Sequence, residues 1–191
     1  MDLRRFLGLG STLASGASSG PGPQPASDGE AAEAAALRRI VDRLEAMPPE
    51  EARHLATYAY ILARAAAADF DISEAETRAM ERLLVEHGGV SEAQAVLVTE
   101  IAKSMARLVG GTEDYLVTRE FREHSTPAER LALLRACFLV GAADDSITAG
   151  ESSALNEIAN ELGIDAADAA ALRTEFADKF SALQALRRAG N

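Results

Sequence analysis

One short acidic phrase occurs twice in this chain, and this repeat constrains the fold more than any other feature. The segment ADFDISEAE occupies residues 68–76, and ADDSITAGE occupies residues 143–151, an offset of 75 positions. When residues 65–88 are aligned with residues 140–163, eight of the 24 positions are identical. The identical Asp, Ile, Glu and Gly positions keep a fixed spacing. This pattern indicates two copies of one helix–loop–helix unit, packed about a pseudo-twofold axis.

The remaining sequence predicts a compact all-α bundle of about seven to eight helices. Apolar residues recur at helical spacing, and breaks fall at the pairs Pro48-Pro49, Gly88-Gly89 and Gly110-Gly111. No alternating strand pattern is long enough to compete with these helices. The last predicted helix covers about residues 166–188, with a buried stripe formed by Leu172, Phe176, Phe180 and Leu183.

Composition divides the chain into a tail and a domain. Residues 1–30 are rich in Gly, Ser and Pro and predict a flexible, disordered tail, whereas residues 31–191 predict the helical domain. The two repeat units span about residues 50–90 and 126–165. The opening MDLRRFLGLG is too weakly apolar for a secretory signal, and no stretch approaches the ~20 apolar residues of a transmembrane helix.

The charge distribution excludes one class of partner and leaves others open. The formal net charge is −11, which argues against nucleic acid, because phosphate contacts need clustered Lys and Arg. No Lys or Arg occurs from Ala136 to Leu172, although seven acidic residues do. A solvated acidic face, a bound cation and a basic partner would each account for this run. The single cysteine, Cys137, lies in an apolar run, which predicts a core residue and fits a reducing compartment.

Helix capping explains most of the doubled phrase. Ser73 with Glu76, and Thr148 with Glu151, each fit the capping-box pattern, in which the hydroxyl and the Glu satisfy each other's backbone amides. The Ile before each cap suits a hydrophobic staple. The capping boxes do not account for Asp69 or Asp144, which would then cap turns or stay in solvent.

Cation binding is the alternative that uses these remaining acids. A hard cation such as Ca²⁺ needs six to eight oxygen ligands, more than one loop offers. An EF-hand is excluded, because the loop lacks its Gly and Met80 stands where that motif has Glu. Two loops that meet at the twofold axis would pool their carboxylates. The candidate ligands for Ca²⁺, Mg²⁺, Mn²⁺ or Zn²⁺ are Asp69, Asp71, Glu76, Asp144, Asp145 and Glu151.

Signs of catalysis are weak, and the sequence predicts a protein that is not an enzyme, without catalytic or organic-cofactor residues. Glu51 and His54 form one E-x-x-H pair, but a di-iron bundle needs two such pairs. No P-loop, Gly-rich dinucleotide turn, zinc tetrad or G-x-S-x-G motif occurs.

The doubled pattern A-D-x-x-I-[ST]-x-x-E, followed by a Gly twelve residues later, resembles the tellurite-resistance TerB and TerB-like domains. The first copy matches at Ala68, Asp69, Ile72, Glu76 and Gly88, and the second at Ala143, Asp144, Ile147, Glu151 and Gly163. The resemblance covers about residues 50–165. This chain has Phe70 and Asp145 where the family usually has Gly, which puts the turn geometry and the cation affinity in question.

The resemblance implies a helical fold of two related halves and an acidic cluster that binds a divalent metal. It also implies a role in tellurite resistance or stress response, in complexes that are cytoplasmic or peripheral at the membrane. TerB-like domains also occur in DnaJ-type co-chaperones. The alternative function is therefore a metal-free interaction module that docks a basic or membrane-associated protein partner.

Overall fold

The computed structural model describes residues 39, 42–69, 72–108 and 112–189. Across these ranges the chain is helical and contains no β-strand, which confirms the predicted all-α class. The chain packs as two units, Met1–Arg53 and His54–Asn191. In the first unit, residues 42–45 are helical and a longer helix begins at Pro49. Residues 1–30 lie outside the described ranges, so the tail stays a prediction.

From Pro49 onward, the helix boundaries lie close to those predicted from the Pro and Gly residues. A short 3-10 turn, Ala67–Asp69, separates the first two. In chain order the helices are α1 (Pro49–Ala66), α2 (Glu74–Gly88), α3 (Glu92–Leu108), α4 (Thr112–Glu123), α5 (Pro127–Gly141), α6 (Ala149–Glu161), α7 (Ala166–Glu175) and α8 (Ser181–Ala189).

In the alignment of the two repeat units, α1 corresponds to α5. Both are core helices. Residues 59–63 of α1 are each 1 % exposed or less, and Leu133, Leu134 and Phe138 of α5 are each 2 % exposed or less. Cys137 is also fully buried, as predicted, and its burial raises the pKa of the thiol to about 12. Helices that are apolar on all sides belong in the centre of a fold. Each core helix leads into one copy of the acidic phrase.

Both copies of the phrase form the predicted capping boxes with the same geometry. The amides of Ser73 and Thr148 each donate to the Oε2 of the Glu three residues later, at 2.7 Å. The amides of those glutamates donate back to the Ser and Thr hydroxyls, at 3.2 Å. α2 then ends at Gly89, whose φ of 63° suits glycine.

The last predicted helix is wrong as a single element, because it breaks between α7 and α8. The amide of Ile147 donates to the carbonyl of Lys179 at 2.7 Å, and the amide of Ser181 donates to Ile147 at 3.0 Å. These bonds occupy backbone groups that a continuous helix would use internally. The predicted stripe divides accordingly: Leu172 and Phe180 are buried, whereas Leu183 is 41 % exposed.

A nearly buried arginine joins three helices. Arg64 of α1 donates to both carboxylate oxygens of Glu161 on α6, at 2.6 and 3.1 Å. It also donates to Thr118 on α4 at 3.2 Å and lies 3.8 Å from the carboxylate of Asp114. The Arg64 side chain is 11 % exposed, and those of Glu161 and Asp114 are each 18 % exposed. Removal of the guanidinium would leave two poorly hydrated carboxylates without this counter-ion, although Asp114 would still accept the Tyr60 hydroxyl.

We expect Arg64→Met to lower the free energy of unfolding by about 3 kcal/mol, because it breaks a largely buried ion pair. Arg135→Met is the matched control. Arg135 forms an equally direct pair with Glu175, at 2.6 Å, but both side chains are about half exposed. Its loss should cost less than about 1 kcal/mol. Urea unfolding of both variants measures the difference, and equal costs would contradict the structural role of Arg64.

Candidate functional site

The capping glutamates of the two acidic phrases are the only acidic residues among the described side chains that are buried. Glu76 on α2 and Glu151 on α6 are each 3 % exposed. Local sequence explains their positions, since each stands at the third residue of a capped helix. Capping alone does not require burial, because the equivalent Glu129 at the start of α5 forms the same box on the surface.

The structure brings Glu76 and Glu151 together, so that their carboxyl groups lie within hydrogen-bonding reach. Oε2 of Glu76 accepts the Ser73 amide, whereas Oε1 is buried and accepts no amide or hydroxyl of the described residues. Two ionised carboxylates are both acceptors and repel each other. The contact is therefore favourable only when a proton or a cation lies between them.

Small residues allow the two acidic phrases to approach closely. A Cβ atom at Gly150 would lie 3.1 Å from the carbonyl oxygen of Ala68, in the 3-10 turn at the start of the first phrase. A Cβ atom at Gly141 would lie 3.5 Å from Oε1 of Glu151. The start of α6 thus packs directly on the first phrase, as two copies meeting at an approximate twofold axis should.

The electrostatic consequence is a carboxyl group that holds its proton near neutral pH. Burial, together with the neighbouring Glu151, raises the pKa of Glu76 from 4.5 to about 7, against the opposing effect of the hydrogen bonds from Ser73. A carboxylate that binds a cation would show the opposite behaviour, since the cation favours the charged form. A cation bound between the two glutamates would therefore have to displace this proton.

The other predicted ligands are placed less centrally. Asp144 is exposed, and its Oδ1 accepts the amide of Ser146 at 3.0 Å. Asp145 is exposed and forms an ion pair with Lys179 at 2.5 Å. Asp69 is the last residue of the 3-10 turn. Asp71 lies outside the described residues.

A complete metal-binding cluster is not preformed in the part of the chain that the structure describes. No group of three or more His, Cys, Asp or Glu side chains there is arranged to hold a metal ion. Glu76 and Glu151 would offer only two ligands to a cation between them. Further oxygens would have to come from the first phrase around Asp69 and Asp71, or from a rearranged second phrase. The predicted six-residue set stays a prediction.

Sequence reasoning missed the basic side chain that pairs with the second phrase. Lys179 forms an ion pair with Asp145. Lys179 lies 34 residues beyond Asp145, outside the Lys- and Arg-free run, so spacing gave no sign of their pairing. The break between α7 and α8 is what brings Lys179 to the phrase.

Comparison with protein families supports the relationship suggested by the doubled pattern. The family model described as tellurite resistance protein TerB matches residues 55–174, more than half of the 191-residue chain. The chain belongs to the TerB family. No curated protein and no solved structure matched it. The match includes Glu76 and Glu151 of this TerB domain and ends before Lys179. Among the described residues, no helix is long and apolar enough to cross a membrane.

We expect Glu76→Gln to change how the stability of the TerB domain depends on pH. A carboxyl with a raised pKa stabilises the fold below its unfolded pKa, and this contribution is lost as pH rises from about 4.5 to 7. Gln keeps the capping pattern without the charge. The variant should therefore become more stable than wild type as pH rises through this window, by at most about 3 kcal/mol at pH 8.

Glu129→Gln is the matched control, since it alters the same capping position on an exposed helix start. The Thr126 amide lowers the pKa of Glu129, so its contribution has the opposite sign and is lost as pH falls. Urea unfolding at a series of pH values measures both variants. A Glu76→Gln profile parallel to that of wild type would show that the buried pair ionises normally.

Proposed function

We propose that this protein is a non-catalytic TerB-like module that binds a divalent cation where its two acidic phrases meet, in the service of tellurite resistance or stress response. The observation that carries the proposal is the buried Glu76–Glu151 pair, with Oε1 of Glu76 lacking a permanent donor. Burial of two adjacent acids costs stability, and a cation offsets that cost more effectively than water can.

Charge and ligand chemistry support a hard cation. Every candidate ligand is a carboxylate, and oxygen ligands favour Ca²⁺, Mg²⁺ or Mn²⁺ over softer metals. The segment from Ala136 to Leu172, which contains Glu151, has no Lys or Arg. The contribution of each half would be equivalent, because the two glutamates occupy the same position in the repeat.

Calorimetric titration of the full chain with Ca²⁺, Mg²⁺, Mn²⁺ and Zn²⁺ tests the proposal. We expect binding of one cation per chain, and a higher melting temperature in millimolar cation, since a ligand at 100 times its Kd stabilises the folded state by about 2.7 kcal/mol. Neither heat nor thermal stabilisation with any of the four cations would overturn the proposal.

Matched variants assign the ligands in the same titration. Glu151→Gln retains the helix cap but removes a charged ligand, so it should weaken binding roughly tenfold or more, whereas Glu129→Gln should leave it unchanged. Asp69→Asn and Asp144→Asn should also weaken binding if these residues are ligands, and should be nearly silent if they only stabilise turns. Ser73→Ala reports the cap alone, at a cost of about 1 kcal/mol in stability.

Docking of a basic protein partner is the second candidate function. Asp144, Asp165 and Asp168 are exposed within the Lys- and Arg-free segment, and the structure pairs none of them with a basic side chain among its described ion pairs. A surface of this kind favours electrostatically steered association.

Docking predicts an association that weakens with salt and is insensitive to divalent cations. We expect a partner isolated at low salt to be lost when Asp144, Asp165 and Asp168 are all changed to Asn. Quantitative binding of the purified partner to both proteins, with and without chelator, measures this. Equal affinity of wild type and the triple variant would exclude this surface.

A further inference from the structure

The last helix, α8, turns its apolar side away from the protein. Five apolar residues share this side, and all of them are exposed: Ala182, Leu183, Ala185, Leu186 and Ala189. Leu186 is 68 % exposed, the largest fraction among the described large apolar side chains. A surface helix normally directs such a stripe into the core. The outward stripe of α8 therefore identifies a surface that binds another molecule.

The opposite side of α8 holds the helix on the domain. With 3.6 residues per turn, Gln184 lies about 160° around the helix from Leu186. The side-chain amide of Gln184 donates to the carbonyl of Asp145 at 2.9 Å. At the start of the helix, the amide of Ser181 donates to the carbonyl of Ile147 at 3.0 Å. These polar contacts fix the orientation of α8 and leave its leucines outside.

A groove between α2 and α3 offers a second apolar surface. Its volume is about 390 Å³. Ala95 lies fully buried at its base, whereas Val85 is 37 % and Val96 is 46 % exposed. A groove of this volume has room for two leucine side chains, and its valines give them an apolar contact. The groove thus matches the two leucines of α8 in size and polarity.

The rim of this groove is acidic. The carboxylates that line it belong to Glu81, Glu86 and Glu92. Of the two arginines that also line it, Arg78 is already paired with Glu74 of the same helix. Only Arg82 remains to balance three carboxylates. The rim therefore favours a partner that brings a positive charge.

We propose that α8 of one copy of this chain binds in the groove between α2 and α3 of a second copy. Leu183 and Leu186 pack on the valines of the groove, and Arg187, which is exposed beside Leu186, lies at the acidic rim. The contact joins two different surfaces, so every copy offers one of each and the association is heterologous. It is independent of the proposed cation site.

Charge decides which molecule fits the apolar side of α8. Contact between the α8 helices of two copies would bring the two Arg187 side chains together, and like charges repel. An anionic membrane would repel a chain whose formal net charge is −11. The groove, in contrast, joins apolar side chains to apolar side chains and an arginine to carboxylates.

Sedimentation velocity of the full chain over a range of concentrations tests the contact. A helix of nine residues buries a small interface, so we expect weak self-association, with a Kd of roughly 0.1 mM. The association should weaken as salt is added, because Arg187 and the acidic rim are exposed. A chain that stays monomeric up to about 1 mM would overturn the proposal.

Matched leucine variants measure the contribution of α8. Leu186→Gln should weaken self-association at least about tenfold, since it removes the most exposed apolar side chain of the contact. Leu116→Gln is the control, because Leu116 is 45 % exposed on α4, and this change should have no effect. Arg187→Gln should weaken association about two- to fivefold and reduce its salt dependence. Equal effects of the two leucine changes would contradict the role of α8.

A mixing experiment identifies both surfaces at once. Leu186→Gln impairs α8 but keeps the groove, whereas Val96→Arg fills the groove with a repelling charge but keeps α8. Each variant alone should be monomeric, and the mixture should form one-to-one pairs through the one intact α8 and the one intact groove. Such recovery also shows that both variants are folded.

Two results of these experiments would overturn the contact. The first is self-association of Val96→Arg as strong as that of wild type, or a mixture that stays monomeric while both variants keep the circular dichroism spectrum of wild type. The second is binding of a monomeric wild type to phosphatidylserine vesicles that is lost in Leu186→Gln, which would assign this side of α8 to a membrane.

Discussion

The rest of this domain depends on two carboxyl groups that are buried against each other. An isolated buried charge costs several kcal/mol, and two of like sign cost more, so the contact between Glu76 and Glu151 must be neutralised. The fold brings them together through its most rigid parts: two core helices, two identical capping boxes and a glycine that lets one helix start touch the opposite turn. A structure that only needed capped helices had no reason to bury these side chains.

Duplication gives the fold its framework, but the two halves have diverged in what stabilises them. Arg64 of the first half fastens α6 through Glu161, whereas the aligned position in the second half is Leu139, which is 45 % exposed. Likewise, the second phrase has Lys179 beside it, and Ile147 of that phrase is hydrogen-bonded to the backbone of Lys179 and Ser181. The two halves therefore share the capping glutamates and differ at Arg64 and Leu139.

The elements that the sequence predicts well are those encoded by short-range chemistry. Ser73 and Thr148 stand three residues before a Glu, and both form the expected box, because a capping box involves four consecutive residues. Gly89 ends its helix for an equally local reason. The break between α7 and α8 could not be read in this way. It depends on hydrogen bonds between Ile147 and residues more than thirty positions away, which periodicity within 166–188 does not reveal.

The same distinction between local and long-range interactions applies to the candidate site. The doubled phrase identified Glu76 and Glu151 as a pair, and the family relationship agrees with that pattern. Their depth of burial and the raised pKa depend on how the halves pack, and no composition or spacing encodes either. Asp145 illustrates the difficulty, since its carboxylate belongs by sequence to the acidic phrase but by contact to Lys179.

Cys137 can report the transient opening of the helices around it. It is the one cysteine in the sequence and is completely enclosed in α5, directly within the core from which the second phrase emerges. A thiol reagent in solution can reach it only during a transient opening of the helices around it. The rate at which the unmodified protein acquires a label therefore counts excursions from the native state, at the centre of the molecule and without any engineered probe.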